Sequence, residues 1–229
     1  MAASVYRVRD DVNGDGAPDL IGITTDGHLY AWDVRNQILI WSRSGLGGGT
    51  DVAVADLHGD GKQEIVALTG SQVLVFTQSA GGITQTASYS VSGTDLLVAD
   101  TNGDGKAEIY VLSSNFGANA TVYQLDGSLA LLNSYPVASS SSAVPATSLY
   151  LEDSGFTRKN LIVAVGSTYP LSGIASMLEV IDPSSGSEIW ESPPLRGVVP
   201  INSLNFYDLN GDGQREIAFG SSVGMYLTR

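Results

Sequence analysis

The feature that most constrains this chain is a nine-residue turn that occurs four times. Its clearest copy is Asp100-Thr101-Asn102-Gly103-Asp104-Gly105-Lys106-Ala107-Glu108. Oxygen-bearing side chains stand at positions 1, 3, 5 and 9, with glycine at positions 4 and 6. A hard divalent cation such as Ca²⁺ takes 6–8 oxygen ligands at about 2.3–2.6 Å. So short a loop supplies them only if alternate side chains turn inward and the backbone bends sharply, which glycine permits. The spacing assigns Asp100, Asn102, Asp104 and Glu108 as side-chain ligands and the Lys106 carbonyl as a backbone ligand. The same reading gives Asp11, Asn13, Asp15, Ala17 and Asp19 in the first copy, and Asp56, His58, Asp60, Lys62 and Glu64 in the second. In the last it gives Asp208, Asn210, Asp212, Gln214 and Glu216. His58 breaks the pattern. Imidazole suits Ca²⁺ poorly, so this site is expected to be weaker, or a water stands in for the ring.

The turns begin at residues 11, 56, 100 and 208, so the intervals are 45, 44 and 108. The long interval is about two repeats, which places a missing unit near residue 152. Glu152-Asp153-Ser154-Gly155-Phe156-Thr157-Arg158-Lys159-Asn160 stands there, followed by the apolar Leu161-Ile162-Val163. The hydrophobic frame persists, but Phe156 and Asn160 occupy ligand positions 5 and 9, so this copy is expected to hold no metal. The expected cofactor is therefore up to four Ca²⁺ ions.

Each unit reads as four short apolar strands separated by Gly, Asp and Asn turns, with no convincing helix. A lone four-stranded sheet cannot cover both of its faces. Units of 44 to 56 residues that are apolar on both sides of their strands point to radial packing. The expected fold is all-β: a β-propeller of about five four-stranded antiparallel blades, over units 5–49, 50–93, 94–146, 147–201 and 202–229 of a single domain or fragment. The fifth unit shows no outer strand. Either it lacks one or residues beyond Arg229 supply it. An unpaired blade edge of that kind is a route to oligomerisation.

Composition narrows the chemistry. The formal net charge is −13, and twelve of the 24 acidic residues lie in the four turns. Four divalent ions would reduce the charge to −5, so the acidity is local ligand charge. Eleven scattered basic residues form no patch, which argues against nucleic acid. The absence of cysteine removes disulfides and thiolate chemistry. No apolar run approaches the length of a membrane span. Met1-Ala2-Ala3-Ser4 leads straight into a strand-like run without a signal peptide, as in an excised or mature fragment. His28 and His58 are the only histidines, and no nucleophile elbow or Walker loop occurs.

These turns resemble the calcium loops of FG-GAP and VCBS repeats, found in integrin α-subunit propellers and many bacterial surface proteins. Ile181-Asp182-Pro183-Ser184-Ser185-Gly186-Ser187-Glu188-Ile189-Trp190 also resembles the outer turn of PQQ-type propeller repeats, with a looser copy ending at Trp41. That second likeness implies tryptophans that dock between blades. The first implies a calcium-stabilised, extracellular, cell-surface or periplasmic propeller used for adhesion or recognition of a protein or glycan ligand. The expectation is therefore a non-enzymatic adhesion or protein-interaction module. A carbohydrate-binding propeller is the alternative, and a polysaccharide lyase or hydrolase is a third reading. The aromatics Tyr135, Tyr169, Phe116 and Phe206 and the longer insertions at 113–120, 139–147 and 166–176 are the places to seek a partner site.

Overall fold

The computed structural model describes residues 5–79, 82–114, 119–137, 146–151, 159–165, 176–193, 195, 204–211, 215–221 and 224–228. All regular structure among them is strand and antiparallel. The first sheet runs β1 (Val5–Asp10), β2 (Asp19–Thr24), β3 (Leu29–Asp33) and β4 (Ile38–Arg43) in spatial order. The second runs β5 (Gly49–Ala55), β6 (Glu64–Thr69), β7 (Gln72–Ser79) and β8 (Gly82–Ser90). The third comprises β9 (Asp95–Ala99), β10 (Glu108–Ser113), β11 (Thr121–Leu125) and β12 (Leu131–Pro136). The fourth comprises β13 (Ala146–Leu151), β14 (Leu161–Val165), β15 (Met177–Ile181) and β16 (Glu188–Glu191). The fifth has three strands, β17 (Leu204–Tyr207), β18 (Glu216–Ser221) and β19 (Gly224–Thr228). Every sheet is a simple meander, as the five-unit reading anticipates, and the last is the incomplete one.

The chain divides into two compact units. One contains residues 1–100, 104–113 and 123–132, and the other residues 101–103, 114–122 and 133–229. In the first unit, alternation of side chains along each strand decides what each sheet buries. Ile21, Ile23, Leu29 and Ala31 cover one face of the first sheet and pack against Ile65, Ala67, Leu74 and Phe76 of the second. Trp41 on β4 closes this seam, its ring 5.4 Å from that of Phe76 at an interplanar angle of 59°. The other face of the second sheet, Val66, Leu68, Val73 and Val75, packs against Ile109, Val111 and Leu125. All six residues of β6 are consequently buried. A one-residue slip of β6 would exchange its two sets of partners, so both seams hold the same register. Each fully buried aliphatic chain contributes about 1.5–3 kcal/mol.

In the second unit Ile162, Ala164, Leu178 and Val180 form a core with Leu204 and Phe219, and Trp190, Phe206 and Ile217 pack at its border. Tyr135 corrects an expectation. It lies in β12, buried, and its hydroxyl donates to the Pro183 carbonyl at 2.5 Å. It anchors the outer turn of the fourth sheet instead of facing a ligand. Gly186, at φ 71°, lies directly over the Tyr135 ring, where a Cβ would clash. Phe206 is likewise a strand residue packed against the core. Tyr169 and Phe116 fall outside the described residues, as do residues 152–158 of the degenerate turn.

Candidate metal centre

Each turn links the first strand of a sheet to the second: β1 to β2, β5 to β6, β9 to β10, β17 to β18. The first acid organises the bend. Asp56 Oδ1 accepts the N–H groups of His58, Gly59 and Asp60, and its Oδ2 accepts that of Gly61 at 2.7 Å. Asp11 holds Gly14, Asp15 and Gly16 in the same way. Asp100 Oδ2 holds Gly105 at 2.9 Å, and Asp208 Oδ1 holds Gly211 at 2.6 Å. The glycines at position 4, Gly14, Gly59, Gly103 and Gly211, take φ between 72° and 80°, so the bend requires them.

The ninth-position acid closes the turn from the other side. Glu64 Oε2 accepts the Leu57 N–H at 2.9 Å, and Glu216 Oε2 accepts that of Leu209 at the same distance. Asp19 Oδ2 accepts the N–H groups of Val12 and Asn13. These acids are the first residues of β2, β6, β10 and β18, and their apolar neighbours bury them: Asp19, Glu64, Glu108 and Glu216 are at most 5% exposed. Asp15, Asp60 and Asp104, at position 5, are exposed. The spacing treats all ligands alike, so this burial is the part of the site that the sequence reading missed. The signal for it was an acid placed directly before an apolar strand.

Electrostatics follow that division. Burial pushes the Glu64 carboxyl above the usual glutamate range, with the charges of Asp60 and Asp56 adding to it and the Leu57 N–H opposing it. Burial raises Asp19 likewise, and Asp11 and Asp15 reinforce the shift. Burial would raise Asp56 too, but the N–H groups of Gly61, Gly59, His58 and Asp60 outweigh it and hold the carboxyl low. The turns thus set a partly buried carboxylate beside other acids, and in the second turn the exposed Lys62 pairs with Asp60 at 3.1 Å.

Asp100, Asp104 and Glu108 bring one carboxylate oxygen each to within 4.8 Å of one another, the one such group of three among the described residues. His58 is exposed on the second turn. Asn210 donates to Glu216 Oε1 at 2.8 Å, and Asp212 and Gln214 lie outside the described residues. An all-oxygen set of three carboxylates at this spacing fits a hard divalent cation. Neighbouring turns also touch. The Ala107 N–H donates to the Asp56 carbonyl at 3.0 Å, and Gly59 lies against Gly105 and Lys106.

Comparison with known proteins agrees with this architecture. The family model of the FG-GAP-like repeat matches residues 11–67 and again residues 56–111. No curated protein matches in sequence. Among solved structures, the crystal structure of Saccharomyces cerevisiae Sqt1 is similar at TM-score 0.67 and 9% identity, over 98% of this chain and 57% of that one. The Dos1 propeller is similar at TM-score 0.57 and 10% identity, over 87% of this chain and 53% of that one. The chain thus spans little more than half of each, and at such identities the likeness concerns fold. With its repeated turns, its antiparallel meanders and these matches, the chain has a β-propeller fold and carries FG-GAP-like repeats over residues 11–111.

Proposed function

We propose that this chain is a calcium-stabilised interaction module, not an enzyme, acting in adhesion or protein recognition as part of an exported or cell-surface protein. The observation that carries the metal reading is the cluster of Asp100, Asp104 and Glu108, with Glu108 buried as the first residue of the apolar strand β10. A bound Ca²⁺ would supply positive charge where these three carboxylates converge. The residues do the rest: Asp100 fixes the bend, Asp104 braces the Lys106 N–H, and Glu108 joins the turn to β10. Binding of this kind ties the first strand of a blade to the second and offsets the ordering entropy of the turn.

The non-enzymatic reading is supported by four acids outside the four turns and by His28. Asp26 binds Thr24 and the exposed His28, Asp33 caps Asn36, Asp126 holds Ser128 and Ala130, and Asp182 holds Ser184. These carboxylates build turns. His28 stacks on Tyr30 at 6.1 Å in a surface turn. An interaction role also suits a net-acidic blade scaffold, whose ligand is expected on the protein side because Tyr135 no longer counts as a glycan-stacking residue. Native mass spectrometry with and without calcium tests the metal reading. Up to four bound ions are expected, and a metal-free spectrum in millimolar calcium would defeat it. A glycan array in calcium tests the ligand class, and repeated capture of one sugar class would replace the protein-binding reading with a lectin.

A further inference from the structure

The first and second turns do not meet as the second and third do. Position 8 of the third turn is Ala107, which is buried, and its N–H donates to the Asp56 carbonyl at 3.0 Å. Position 8 of the second turn is Gln63. Among the described residues no backbone hydrogen bond joins the second turn to the first. A cleft of about 630 Å³ lies there instead, within the size range of small-ligand pockets. The first turn lines it with Val12 and Asn13, the second with Lys62 and Gln63, and the end of β7 with Gln78.

The strand register brings the two glutamines together. Ile65 pairs with Phe76 across β6 and β7, and the same register continued by two residues sets Gln63 opposite Gln78. Ile65 and Phe76 belong to the apolar seam between the first and second sheets, and so does Val12, so the cleft caps that seam at its turn end. The Oε1 atom of each glutamine is buried and accepts no hydrogen bond. With Ser148 Oγ, they are the buried side-chain polar atoms without a partner among the described residues. A buried amide oxygen left unpaired is destabilising, so two at one cleft call for a ligand that brings donors.

The other polar groups of the cleft fix the kind of donor. Asn13 accepts the Asp15 N–H and donates to Asp19. Lys62 donates to Asp60 at 3.1 Å. Asp10, which also lines the cleft and stands outside the proposed metal set, gives Oδ1 to the Asp11 N–H and keeps Oδ2 for a ligand. Two amide oxygens and a carboxylate are acceptors only, and one of them is charged. We propose that this cleft binds a guanidinium group, the arginine side chain of a partner protein. Guanidinium carries five N–H donors in one plane, has no acceptor and stays charged, so one group serves all three oxygens. That the guanidinium comes from a protein rests on the recognition role proposed above, whereas the chemistry of the cleft does not.

The test is a ¹H–¹⁵N NMR titration of the full 229-residue chain in millimolar calcium with Nα-acetyl-arginine amide, read at the side-chain amides of Gln63 and Gln78. Saturable shifts with a Kd of about 1 mM are expected, the scale for a ligand of this size. The citrulline and lysine analogues, which lose the charge or the planar fork, should each bind about 10-fold more weakly. Gln63→Met and Gln78→Met each remove an unpaired oxygen at similar volume. Both variants should melt at or above the native temperature and bind the probe about 10-fold more weakly, read at the remaining glutamine. Unshifted glutamine amides, a citrulline or lysine analogue bound as tightly, a variant that binds like the native chain, or one that melts well below it would each overturn the proposal. Because the probe is a single residue, its failure removes the cleft and leaves the recognition role standing. A chain that binds the probe yet selects one sugar class on a glycan array keeps the cleft and loses that role.

Discussion

Replacing Asp104 with asparagine should move the stability of this protein in opposite directions with and without calcium. Asp100, Asp104 and Glu108 hold carboxylate oxygens within 4.8 Å of one another. Two unit charges at that distance repel by about 3.5 kcal/mol at an effective dielectric of 20 and by about 0.9 kcal/mol in water. Asp104 is exposed, so the watery limit applies, and Asp104→Asn relieves two such pairs, about 2 kcal/mol. The amide oxygen still accepts the Lys106 N–H. In EDTA the variant should therefore melt about 4–8 °C above the native chain, at about 2–4 °C per kcal/mol for a chain of this size. Calcium at 100 times the dissociation constant stabilises the native site by about 2.7 kcal/mol, and a site weakened 100-fold gains only about 0.4 kcal/mol. The calcium-induced rise in Tm should consequently shrink by about 5–9 °C. The other turns contribute equally to both proteins and cancel. Differential scanning calorimetry in EDTA and in millimolar calcium gives both numbers. A variant less stable than the native chain in EDTA, or one with an unchanged calcium response, would refute the reasoning.

Three further outcomes are expected. Gly127→Ala would place a methyl 2.6 Å from the Leu57 carbonyl oxygen, pushing the β11–β12 turn of the third sheet off the β5–β6 turn; urea unfolding should show a loss of about 1–3 kcal/mol. Tyr135→Phe removes the buried hydroxyl bond to Pro183 and leaves that carbonyl unpaired, which should cost about 1–3 kcal/mol in the same assay. Burial raises the Asp51 carboxyl, opposed by the Val52 N–H and by a hydrogen bond with Asp95 on the adjacent inner strand. A folded-state value above the unfolded one gives stability that is present in acid and lost as pH rises through the folded value. Asp51→Asn should therefore raise Tm more at pH 8 than at pH 4, and an equal effect at both would contradict the assignment.

The five meanders and the four turns were legible because each rests on a short-range pattern repeated many times. Gly14 and Asp15, or Gly103 and Asp104, announce a bend wherever they stand, and Leu161-Ile162-Val163 keeps its frame even where the ligands are lost. What was hidden depends on neighbours. Leu20 and Trp32 read like Ile65 and Phe76, since periodicity reports an apolar face and not whether another sheet covers it. Tyr135 reads as a loop aromatic, and only the approach of Pro183 and Gly186, some fifty residues on, makes it a core residue. The grading of the ligands into buried position 9 and exposed position 5 likewise arises from packing that no single turn contains.

The Ala107 amide is bound to the carbonyl of Asp56. A group from one repeat is thus locked by the backbone of the repeat before it. Solvent exchange at that single amide becomes a gauge of a turn more than forty residues upstream. Loosening either rim element must slacken both, so fraying along this edge of the molecule is shared between repeats before it becomes local.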